Sequence, residues 1–138
     1  MKKILFAIDD TPECQRAAEY VTDFFGTMSD CSFTLIHIKP EFNLYGDAML
    51  TAYEEAENKE EDKAREVLEK FTQFFTSKGL NPTALIKEGE PVSMVLEEAK
   101  NHHLLVIGRS ADSFFNKIFS SNQDDFITKT PIPVLLVK

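Results

Sequence analysis

Two places in the chain bring together residue types that do chemistry. At the first, Asp9 and Asp10 follow the apolar run Ile4 to Ile8 and precede Thr11-Pro12. Two carboxylates at the end of a buried strand can hold a metal ion, and a single acid there also sits well against the positive end of a following helix. At the second, the apolar run Leu104-Leu105-Val106-Ile107 stops at Gly108 and gives way to the polar loop Arg109-Ser110-Ala111-Asp112-Ser113. A glycine at that point lets the backbone turn sharply or approach a ligand closely. Open α/β sheets bind ligands at the carboxyl ends of their strands. The other reactive residues are less organised. His37 reads as a strand residue, and His102-His103 lie in a turn with no third ligand in view. Cys14 and Cys31 have no metal-like spacing, and no Ser shows the strand–turn–helix elbow of a hydrolase. With no nucleophile–base pair, the chain reads as a protein that acts by binding and not as an enzyme.

The elements that must position these residues follow from periodicity. Ile4 to Ile8 reads as a central strand buried on both faces. Thr11 is a plausible N-cap and Pro12 a first helical residue, for a helix running to about Phe25 before Gly26. Its apolar face is Cys14, Ala17, Ala18, Val21 and Phe25. Cys31 to Ile38 is the second strand. Glu41 to about Ala52 reads as a surface loop with a short helical piece. Tyr53 to Lys78 reads as a long helix, charged in its first half and amphipathic through Ala64, Val67, Leu68, Phe71 and Phe75, with Gly79 as its stop. Thr83 to Ile86 is a short third strand, and Pro91 opens a helix with Val92, Val95, Leu96 and Ala99 inward. After the fourth strand, Leu104 to Ile107, a helix is expected within Phe114 to Lys129 and a last strand at Val134 to Val137. Five strands alternating with four helices predict an α/β fold, a five-stranded parallel sheet with helices on both faces in one domain spanning residues 1–138.

Composition narrows the partners. A chain of 138 residues with 43% hydrophobic residues can bury a core without staples. A net charge of −8 argues against a nucleic-acid surface and against docking on anionic membranes. The opening Met1-Lys2-Lys3-Ile4-Leu5-Phe6 is cut by Asp9-Asp10 too early for a secretory core, and no run approaches a membrane span. A cytoplasmic protein with reduced thiols is expected.

Several stretches, in order, resemble the universal stress protein family. Ile8-Asp9-Asp10-Thr11 is similar to that family's strand, Asp, Gly, Ser, and Leu35-Ile36-His37-Ile38 to its Leu-Leu-His-Val strand. Glu88-Gly89-Glu90-Pro91 resembles its Gly-x-Pro turn. His103-Leu104-Leu105-Val106-Ile107-Gly108 resembles Asp-Leu-Ile-Val-Met-Gly, and Pro131-Ile132-Pro133 its Pro-x-Pro strand entry. The resemblance covers nearly the whole chain. It implies a Rossmann-like sheet, a homodimer paired through the C-terminal strand, and ATP binding in a subset of members. Carried over, Asp9 would sit by the adenine or ribose and Ile38 would pack on the base. Gly108, Ala111, Ser121, Asn122 and Gln123 would occupy the loop that wraps the phosphates with backbone N–H groups.

The family's glycines are replaced here at two loop positions. Ala111 stands where the second glycine belongs, adding a methyl group and penalising a left-handed backbone. Ser121-Asn122 stands for Gly-Ser; Asn tolerates the left-handed region better than most residues. Asp112, Asp124 and Asp125 place negative charge beside the implied phosphates, partly offset by Arg109 and Lys117. The preferred reading is therefore a dimeric binding or regulatory module in stress response, with a degenerate nucleotide loop and no certain cofactor. The alternative is an ATP- or AMP-binding sensor with at most slow hydrolysis, assisted by Mg²⁺ at Asp9 or Asp10. A receiver-type signalling module is disfavoured, because strand three ends in Ile86-Lys87-Glu88 without its Asp. The aromatic cluster Phe114, Phe115 and Phe119, with Ile118, reads either as loop packing or as a surface for a protein partner.

Overall fold

The computed structural model describes residues 1–39, 50–108 and 128–138. The first strand, β1 (Lys2–Ala7), is the middle of a five-stranded sheet. It pairs in parallel with β2 (Cys31–Lys39) on one side and with β4 (Leu104–Gly108) on the other. Beyond β2 lies β3 (Thr83–Glu88), and beyond β4 lies β5 (Val134–Val137), both parallel, so the order is β3-β2-β1-β4-β5.

A central strand must be apolar on both faces, and β1 is. Ile4, Phe6 and Ile8 point to one side, and Leu5 and Ala7 to the other, each nearly devoid of solvent exposure. The first face is covered by α1 (Pro12–Phe25) and α2 (Leu50–Ser77), which supply Cys14, Ala17, Ala18 and Val21, and Val67, Phe71 and Phe75. Its centre is aromatic: Phe6 meets Phe71 edge-on at 6.2 Å between ring centroids, and Phe33 meets Phe75 at 5.3 Å. The second face takes α3 (Pro91–Ala99), with Val95 and Ala99 buried against Leu5, Ile36, Leu105 and Ile107.

The helix ends follow their local chemistry. Thr11 is in extended backbone and its hydroxyl accepts from the Cys14 N–H at 3.2 Å, with Pro12 in the first turn. At the end of α2, Gly79 takes φ +81°, and Leu80 N–H reaches Phe75 O at 3.1 Å while Gly79 N–H reaches Thr76 O at 3.0 Å, a Schellman closure. Glu90 caps α3 by accepting from Val92 N–H at 3.1 Å and Ser93 N–H at 2.7 Å.

Two boundaries differ from the sequence expectation. The long helix starts at Leu50, so Leu50–Ala52 are its first turn and not part of a loop. No Gly or Pro lies between Gly46 and Gly79, so nothing there breaks the helix. The third strand runs on to Glu88 because its backbone keeps pairing, Ile38 with Lys87 and Lys39 with Glu88, whatever the side-chain polarity. The segment Glu41 to Met49 and most of the expected fourth helix fall outside the described residues; Thr128 and Lys129 are helical.

Candidate ligand site at the carboxyl ends of β1 and β4

The strand order sets a switch point between β1 and β4. The chain builds β1, β2 and β3 outward in one direction and then returns to place β4 on the other side of β1. In open α/β sheets such a switch point, at the carboxyl ends of the strands, is where ligands bind. Ala7 lies opposite Ile107, so the residues after them, Ile8-Asp9 and Gly108, flank the switch point.

Asp9 is buried, with 8% of its surface exposed, and its carboxylate is fixed from within its own turn. The Thr11 hydroxyl donates to Asp9 Oδ1 while accepting from Cys14 N–H. The Asp9 N–H reaches Cys14 Sγ at 3.4 Å. Burial pushes the Asp9 carboxyl above its ordinary value; the Thr11 hydrogen bond and the charge of nearby His37 pull the other way, and Glu13 and Asp10 add to the rise. His37 is buried beside it. Its Nδ1 lies 3.1 Å from Ile8 O, and a carbonyl can only accept, so Nδ1 carries the proton.

Gly108 has a packing reason to be glycine. A Cβ there would lie 3.0 Å from Cys14 Cα and 3.1 Å from Glu13 O, both backbone atoms of the first turn of α1. The missing side chain is what lets that turn close down over the end of β4. The capped helix start, Asp9 and the end of β4 thus form one rigid corner.

The other expected site residues are placed as follows. Ile38 sits two residues past the Ala7–Ile36 pair, level with Asp9, but its side chain is 5% exposed and packed in the α3-side core with Leu5, Ala7 and Val95. Asp10 pairs with α2: its Oδ1 is 3.8 Å from Lys70 Nζ, an exposed pair of small energetic weight. Among the described residues, no group of three His, Cys, Asp or Glu side chains could hold a metal. Cys14 is 1% exposed and its thiol is pushed up by burial, so it offers no thiolate. His102 is buried with Nδ1 3.0 Å from Glu98 O, and His103 Nδ1 accepts from Lys3 N–H at 3.0 Å, so both serve the turn into β4. Arg109, Ala111, Ser121, Asn122 and Gln123, and the Phe114, Phe115 and Phe119 cluster, lie outside the described residues.

Sequence reasoning missed two contributors. Thr11 reads as a helix cap alone, yet its hydroxyl also orients Asp9; the Asp-x-Thr spacing carries that signal. His37 reads as a strand residue, and only the fold brings it to Ile8 and Asp9.

Comparison with known proteins agrees with this fold. A family model described as "Universal stress protein family" matches residues 1–138. A universal stress protein of Helicobacter pylori is 31% identical over 135 residues, covering 98% of both chains. Among solved structures, the universal stress protein UspA from Lactobacillus plantarum superposes with a TM-score of 0.79 at 16% identity, covering 99% of this chain and 97% of its own. A universal stress protein family protein from Arabidopsis thaliana, solved with AMP bound, superposes with a TM-score of 0.72 at 19% identity, covering 100% of this chain and 92% of its own.

Proposed function

The chain belongs to the universal stress protein family, and from that membership we propose that it works as a regulatory binding module, taking an adenine nucleoside monophosphate at the carboxyl ends of β1 and β4. The observation that carries this reading is the buried, oriented Asp9 at the sheet's switch point. A carboxylate has two acceptor oxygens, and Thr11 occupies one; ribose hydroxyls and the adenine amino group are donors that suit the other. The AMP-bound Arabidopsis relative supports the ligand class. Monophosphate is preferred over triphosphate because of the loop that follows Gly108. In the family's register Ala111 and Ser121 replace glycines whose backbone would wrap a polyphosphate, and Asp112, Asp124 and Asp125 would add negative charge beside one.

The module acts by occupancy and not by turnover. Cys14 is buried without a base, and Asp9 and Asp10 are committed to different partners, Thr11 and Lys70. Two copies associate through β5, which is an outer strand of the sheet among the described residues. Calorimetric titration with AMP and with ATP, each with and without Mg²⁺, tests the ligand assignment. AMP is expected to bind more tightly than ATP, with little effect of Mg²⁺, and Asp9→Ala to weaken AMP at least about tenfold, the scale of one lost charge-assisted hydrogen bond. Absence of AMP binding at millimolar concentration would refute it.

A further inference from the structure

The two cysteines differ sharply in what can reach them. Cys14 is sealed in the core, whereas Cys31 opens β2 at the opposite pole of the sheet from Asp9 and is only partly buried. Its Sγ lies 3.9 Å from Met28 Sδ. Both sulfurs belong to one tight turn, Met28-Ser29-Asp30-Cys31, closed by Cys31 N–H to Met28 O at 3.4 Å. The turn is anchored at both sides: Met28 N–H bonds Phe25 O at 3.1 Å at the end of α1, and Asp30 O accepts from Lys2 N–H at 2.7 Å. These bonds fix the backbone of the turn that carries both sulfurs. The pair lines a cavity of about 450 Å³, whose wall also includes Met1, Phe33 and Leu80.

This donor set is selective. A thiolate and a thioether are soft ligands, and among the described residues no cluster of His, Cys, Asp and Glu is present to suit zinc or a harder ion. The spacing also fits: two sulfurs of a trigonal centre, each at the roughly 2.3 Å of a metal–sulfur bond, stand about 4 Å apart. Met28 is 45% exposed, so an ion has a route in, and Met1 lines the same cavity.

We propose that Met28 and Cys31 form a binding site for a soft monovalent cation, copper(I), at the amino ends of the strands. Binding breaks the Cys31 S–H bond and forms a sulfur–copper bond, with the proton released to solvent; copper stays in the +1 state. The Met28 thioether donates a lone pair and loses nothing. In the metal-free protein the same two atoms make a weak S–H···S contact.

The test is anaerobic titration of the full chain with copper(I) against a competing bicinchoninate chelator, using wild type, Cys31→Ser and Met28→Leu. One copper(I) per chain is expected, abolished by Cys31→Ser. Met28→Leu should lower affinity at least about tenfold, since even outer-shell changes around metals cost that much. X-ray absorption of the wild-type complex should show two sulfur neighbours or more. Retained binding in Cys31→Ser would overturn the site. Unchanged affinity in Met28→Leu, or a single sulfur neighbour, would reduce Cys31 to an accessible thiol and overturn it equally. Circular dichroism of both variants establishes that any loss is not a loss of fold.

Discussion

At the scale of single residues, Asp9 is where structure and ligand chemistry meet. It is held buried and near His37, at a cost to its ionisation. A carboxyl whose folded-state pKa lies above its unfolded value binds more protons folded than unfolded in the window between the two. Stability then falls as pH rises through that window. The cost of ionising Asp9 is absent below the ordinary value of 3.8 and complete above the raised folded value. Asp9→Asn keeps an oxygen to accept from Thr11 but removes the charge. We therefore expect Asp9→Asn to melt at a higher temperature than wild type at pH 7, with the difference shrinking as pH falls toward 3.8. Thermal melts across pH check this, and a difference that grew on acidification would contradict it. The sequence exposes Asp9 as a candidate because an acid after an apolar strand is visible in one dimension. It hides His37 as a neighbour, because residues twenty-eight positions apart meet only when β1 and β2 pair.

At the scale of elements, Gly108 shows why one glycine can carry two readings. Its place at the end of an apolar run reads as freedom to approach a ligand; the structure adds a close approach to the backbone of α1. A methyl group there must push Cys14 Cα or Glu13 O by a few tenths of an ångström, and helix backbone moves less readily than a side chain. Gly108→Ala is expected to cost about 1–3 kcal/mol, the range for overpacking, in urea denaturation. A neutral result would mean the first turn of α1 is loosely seated. Most elements were legible because their periodicity is strong: β1, α1, β2, the second half of α2 and α3 each show an uninterrupted apolar pattern. The start of α2 was not, since Met49-Leu50 carries no capping side chain in the sequence and the charged stretch that follows has no apolar stripe. The end of β3 was hidden for the opposite reason. Lys87 and Glu88 look like loop, yet Glu88 faces Lys39 across the ladder with its carboxylate 3.8 Å from Nζ.

At the scale of the whole molecule, the sheet has two edges of different character. The β3 edge is mostly exposed and carries Lys87 and Glu88, the charged protection typical of an edge that stays single. The β5 edge is Val134-Leu135-Leu136-Val137, apolar and half-buried. Such an edge calls for a partner, and sedimentation velocity at micromolar concentration should return the mass of two chains; a single-chain mass would contradict pairing through β5. The two poles of the sheet also divide the chemistry, with the buried Asp9 at the carboxyl ends and the sulfur pair at the amino ends. That division gives the central claim a direct test: titrate isotope-labelled protein with AMP and map amide shifts by NMR. The account predicts the largest changes at Asp9, Asp10, Thr11 and Gly108, with the turn from Met28 to Cys31 unmoved. Shifts confined to the amino pole, or none at all, would contradict a nucleotide site at the β1/β4 switch point.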